Sequence, residues 1–177
     1  MKPAEQFEKP PERLVWDLPV RLFHWLLAAL VGASWISAEA GWIEVHFYVG
    51  YAVAALVLFR LAWGFAGPRY ARFGNFLAGP RRTLAYLRDW LGGSAVEPAG
   101  HTPAGGWMII LLLALLAVQV ASGMANSHDG LDTGPWYWAA PAGLRELAED
   151  VHAAAFDILL VAIAIHVAAV LLYLWRP

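Results

Sequence analysis

Six histidines occur in this sequence of 177 residues, and four of them, His24, His46, His152 and His166, are placed where they could act together. A neutral imidazole bonds a metal through one ring nitrogen and is oriented by a hydrogen bond at the other. His152 and His166 are 14 residues apart. On a helix of 3.6 residues per turn that is roughly 3.9 turns, so both rings leave one face, about 21 Å apart in height. Arg60 follows His46 by the same interval, and Arg21 precedes His24 by about one turn. The chain has no Cys. Disulfides, thiolate metal sites, iron–sulfur ligation and covalent haem attachment through Cys are therefore excluded.

The elements that must position these rings belong to a membrane. Hydrophobic residues make up 60% of the chain and charged ones 15%, against about 25% charged in a soluble domain. The mean hydropathy is +0.52. Ten Trp, six Tyr and eight Phe fit aromatic belts at the headgroup level. A net charge of -2 gives no reason to expect a nucleic-acid partner. Four apolar stretches, at about 21–38, 46–65, 106–124 and 151–175, are long enough to cross a hydrocarbon layer of about 30 Å. The expected fold is all-α: one integral membrane domain, a four-helix bundle, with a tight reversal between the first two helices. A surface helix is expected over 81–91, and a short helix over 144–150 running into the last span. The polar first 17 residues do not read as a cleavable signal peptide.

Charge sets the expected orientation. Lys2, Lys9, Arg13 and Arg21 precede or open the first span, six arginines from Arg60 to Arg88 follow or end the second, and Arg176 closes the chain. Only Arg145 falls on the other side, among Glu39, Glu44, Asp129, Asp132, Glu146, Glu149 and Asp150. The positive-inside rule puts both termini in the cytoplasm and the acidic face outside, in a bacterial inner membrane.

Depth then pairs the histidines. His46 begins the second span on the outer side and His24 opens the first on the inner side. On the last span His152 is outer and His166 inner. Ligands of one ion must share a height, so His46 meets His152 and His24 meets His166. A zinc site wants three or four ligands on one centre; two separate pairs suit two bis-histidine haem b groups. Haem propionates need counter-charges, and Arg60 and Arg21 are placed for the inner one. Gly50 and Gly32 leave room for a macrocycle, although glycine also serves helix packing. Asp157, between the two histidines of the last span, reads either as a proton relay or as a structural acid. His101 and His128 lie in polar loops, where histidines are commonly surface residues. No phosphate-binding loop, nucleophile elbow or zincin motif is present.

The run Val15-Trp16-Asp17-Leu18-Pro19-Val20-Arg21-Leu22-Phe23-His24-Trp25 resembles the opening of the bacterial cytochrome b-561 family, which includes the cytochrome b subunits of nickel–iron hydrogenases. Arg60-Leu61-Ala62-Trp63-Gly64-Phe65-Ala66-Gly67-Pro68-Arg69-Tyr70 is similar to the end of its second helix, and Gly100-His101-Thr102-Pro103-Ala104-Gly105-Gly106 to the approach to its third. The resemblance implies four-helix di-haem electron carriers in which the last helix gives one ligand to each haem. It thereby implies the same pairs, His24 with His166 and His46 with His152. It further implies electron exchange with quinone, a periplasmic c-type cytochrome or another redox subunit. The leading expectation is a respiratory membrane cytochrome joining a periplasmic partner to the quinone pool. One alternative is a superoxide:ubiquinone oxidoreductase, for which a single outer cation, Arg145, is a poor anion funnel. Others are a hydrogenase-type cytochrome b subunit, although an extra span expected of those is absent, and a redox-inert transporter or scaffold.

Overall fold

Asp17 starts the first long helix. Its carboxylate accepts a hydrogen bond from the Val20 amide at 3.0 Å, and Pro19 in the first turn has no amide to leave unpaired. The computed structural model describes residues 17–95 and 100–175. Within them lie α1 (Leu18–Glu39), α2 (Ile43–Ala66), α3 (Phe73–Phe76), α4 (Pro80–Leu91), α5 (Pro103–Met124) and α6 (Ala142–Trp175). Four of these, α1, α2, α5 and α6, are long and apolar enough to cross a membrane. The protein is an all-helical, multi-pass membrane bundle. Lys2, Lys9, Arg13 and Arg176, four of the cations behind the expected orientation, lie outside the described residues.

The elements depart from the hydropathy pattern at their ends. Thr102 caps α5 by accepting from the Gly105 amide at 3.0 Å, so the helix begins at Pro103, earlier than its apolar run. The α1–α2 reversal shrinks to three residues, with Gly41 at φ +71° making the turn. The short helix expected over 144–150 is continuous with the last span in α6. Its 34 residues span about 51 Å, more than the bilayer core needs. The four-residue helix α3 has no counterpart in the sequence reading.

Packing creates two hairpins. α1 packs on α2 and α5 on α6, and α2 meets α5 in the middle. No Cα atom of α6 lies within 8 Å of one in α1 or α2. Side chains alone bridge that slot. At mid-height Leu159 of α6, 2% exposed, joins Val53, Val57 and Leu116 in an apolar layer. A second apolar cluster, around Phe23, Phe73 and Leu113, closes the end where α3 lies.

Candidate cofactor sites

The slot faces the four histidines in two pairs. His46 of α2 lies opposite His152 of α6, with ring centroids 6.3 Å apart and planes at 80°. His24 of α1 lies opposite His166, also at 6.3 Å, with planes at 59°. Leu159 stands seven residues from each histidine of α6, so the apolar layer separates the pairs. An imidazole nitrogen bonds a first-row metal at roughly 2.0–2.1 Å and its ring centroid lies about 1.2 Å behind it, so two opposed ligands of one ion have centroids about 6.4 Å apart. Both pairs match that separation. Among the described residues no three His, Asp or Glu side chains are grouped so as to hold a metal ion.

The outer pair is oriented by backbone. His46 Nδ1 lies 2.9 Å from the Ser34 carbonyl oxygen and 3.3 Å from its Oγ. His152 Nδ1 lies 3.0 Å from the Gln119 carbonyl oxygen and 3.1 Å from Ser122 Oγ. A carbonyl only accepts, so each Nδ1 carries the proton and each Nε2 keeps its lone pair, the state a metal ligand requires. Gly123 makes room for His152: a Cβ there would stand 2.9 Å from its Cε1. A cavity of about 340 Å³ opens beside the pair, with Gly50, Gln119 and His128 in its wall, a size that suits a cofactor. A Cβ on Gly50 would meet nothing within 4 Å. Gln119 Oε1 is buried without a hydrogen-bond partner. The loop over this cavity is fixed in part by Asp129, whose carboxylate accepts from the Leu131 and Asp132 amides. Those bonds hold its pKa below the usual carboxylate value.

At the other end, Trp25 packs edge-on against His24 at 5.1 Å. Arg60 is 3% exposed, its guanidinium lies 4.7 Å from the Phe73 ring centre, and its Nη1 has no hydrogen-bond partner. A buried cation with an unused donor suits an anionic group. Asp17 also accepts from Trp63 Nε1 at 2.9 Å, fastening the start of α1 to the end of α2. His101 rests on Phe76 with centroids 4.7 Å apart. Burial, and then the charge of Arg60, holds its pKa below the ordinary histidine value.

The other candidates are placed less tightly. Arg21 is exposed. A Cβ on Gly32 would meet nothing within 4 Å, and the glycine is absent from the cavity wall. Asp157 is exposed on α6. Sequence reasoning missed Ser34, Gln119, Ser122 and Gly123. Three act on the rings partly or wholly through backbone atoms or a missing Cβ. Ser34, Gln119 and Ser122, polar residues in otherwise apolar spans, gave a signal, and Gly123 gave none.

Fold and site together define a membrane-spanning helical bundle with paired, inward-facing imidazoles. The chain belongs to the prokaryotic cytochrome b561 family, whose description matches residues 15–177. It is therefore a b-type cytochrome of membrane electron transfer, a family that carries haem b. One relative, from Cupriavidus necator, is 25% identical over 172 residues, covering 78% of this chain and 69% of its own length. Another, from Azotobacter chroococcum mcd 1, is 26% identical over 181 residues, covering 84% and 74%. Each is described as a probable Ni/Fe-hydrogenase B-type cytochrome subunit. No solved structure gives a significant match.

Proposed function

We propose that this chain binds two haem b groups, one between His24 and His166 and one between His46 and His152, and conducts electrons between a periplasmic redox partner and the quinone pool. The observation that carries the reading is the repeated 6.3 Å separation of two imidazole pairs fed by one face of α6. Haem iron supplies one-electron chemistry; the protein sets spacing, ligation and dielectric around it. Ser34, Gln119 and Ser122 fix the tautomer of the outer ligands. Arg60 offers its unused Nη1 to an inner propionate, and exposed Arg21 is at most a secondary counter-charge. The layer around Leu159 keeps water and mobile charge from the space between the sites.

Pyridine haemochrome analysis of the purified chain tests this. Two haems per chain are expected. His24→Ala or His166→Ala should remove one of them, and His46→Ala or His152→Ala the other, each leaving a distinct reduced-minus-oxidised band. One haem in the unsubstituted chain, or unchanged haem after any of these substitutions, overturns the assignment.

A second reading, a cytochrome b subunit of a hydrogenase-like complex, is favoured by the descriptions of the two relatives. Purification from native membranes in mild detergent separates the two, since a subunit would travel with a metalloenzyme partner. The superoxide reading gains no support: Arg145, the outer cation, packs over Tyr137 at 4.8 Å.

A further inference from the structure

Helix α4 carries an apolar edge that the bundle does not cover. Successive residues advance by about 100° around a helix, which places Leu84, Leu87 and Leu91 on one edge. Arg81 and Arg88 flank it on one side, Thr83 and Trp90 on the other, and Arg82 and Asp89 lie opposite. Leu84 is 70% exposed and Leu91 74%, and no residue of α4 is buried. The helix is nonetheless held in place. It packs against α5, Trp90 lies on the Tyr173 ring at 5.6 Å, and the Tyr86 and Tyr173 hydroxyls are hydrogen-bonded. Tyr173 belongs to the last turn of α6, whose Leu174 and Trp175 are also highly exposed. Through Tyr86 and Trp90, α4 is thus tied to the end of the last span.

We propose that α4 is an interfacial helix, lying in the membrane surface with Leu84, Leu87 and Leu91 among the acyl chains and Arg81 and Arg88 on anionic phospholipid headgroups. Three features select lipid as the occupant. Tyr86 and Trp90 join the helix to Tyr173, in the last turn of a membrane span whose Leu174 and Trp175 are exposed. Arginines on one flank and a tryptophan on the other sit at the height of a headgroup layer once the leucines are immersed. The remaining face, with Arg82 and Asp89, suits water. The inference does not depend on the haem assignment.

The absence of Cys makes a direct test available. The full chain would carry Leu84→Cys, Leu91→Cys, Ala85→Cys or Asp89→Cys, one at a time, in nanodiscs of phosphatidylcholine alone or mixed with phosphatidylglycerol. Helicity and monodispersity check folding, and a membrane-impermeant maleimide reports exposure. Positions 84 and 91 should react on the order of tenfold more slowly than 85 and 89. Equal rates at all four positions would overturn the proposal and leave the edge to a water-soluble protein partner. Each arginine near an anionic surface contributes about fivefold to attachment. Adding Arg81→Gln and Arg88→Gln should therefore reduce protection in the anionic discs. Protection that ignores both lipid charge and these arginines would overturn the headgroup assignment.

Discussion

His152 is fixed by atoms that carry little sequence signature. Its Nδ1 is held by the Gln119 carbonyl, and its ring fills the space Gly123 leaves. Gly123→Val would push branched carbons into that ring and force it off its tether. The expected result is loss of the outer haem band with the inner band intact. Gly50→Ala adds a Cβ that meets no protein atom, so any effect it has on the spectrum must come through the cofactor. An unaltered spectrum in Gly123→Val would show that His152 is not the ligand. His101 supports a second expectation. Its pKa lies below the ordinary 6.5 because it is half-buried and feels the charge of Arg60. The unfolded chain therefore takes up its proton at a higher pH than the folded one, and stability is full above 6.5 and falls as pH drops towards the lowered value. His101→Phe keeps a ring against Phe76 and removes the titration. Its melting temperature should depend less steeply on pH below 6.5, by up to one proton's worth of slope. An unchanged slope would place the acid sensitivity elsewhere. The four paired histidines were readable from spacing and depth alone. Arg60 was readable as a counter-charge near the inner surface, but its burial and its stacking on Phe73 were not, because a four-residue helix leaves no hydropathy pattern.

Among the elements, the centres of the spans were legible and their ends were not. Hydropathy measures where lipid contact begins, whereas helices begin where a cap satisfies the first amides. Asp17 and Thr102 are such caps, each followed by proline within two residues, and each lies four residues before the expected start of its span. The polar start of α6 was legible as a short helix running into the last span, and the structure adds Ala142 and Gly143 and shows no break between the two. Its first turns, with Arg145, Glu146, Glu149 and Asp150, are too polar to count as a span, yet nothing in them interrupts a helix. That extension matters for the site, because His152 then sits within a continuous rod and not at a fraying end. The interval of 14 residues is translated into a fixed angle and height only if the helix is unbroken.

At the scale of the whole molecule, the slot between α6 and the α1–α2 hairpin is the feature no sequence pattern announces. Close-packed helices run 8–10 Å apart. Here α6 keeps that closeness to α5 alone among the spans, and every Cα of α1 and α2 stays more than 8 Å away from it. Leu159 with its neighbours, the Trp35–Phe156 ring contact at 6.0 Å and the two histidine pairs span the gap. If a porphyrin fills each level, ligation does in this bundle what side-chain packing does in others. Removing it should then loosen α6 in particular. A ligand present at about a thousand times its dissociation constant stabilises the native state by about 4 kcal/mol. Chain produced in a haem-deficient host should accordingly melt well below the loaded protein, and hydrogen exchange should rise along the α6 face that carries His152 and His166 before it rises in the α1–α2 hairpin. The double variant His152→Ala/His166→Ala should reproduce both changes in a haem-replete host. Matching melting temperatures with and without haem would mean that the apolar layer at Leu159 holds α6 unaided, and that the width of the slot owes nothing to a cofactor.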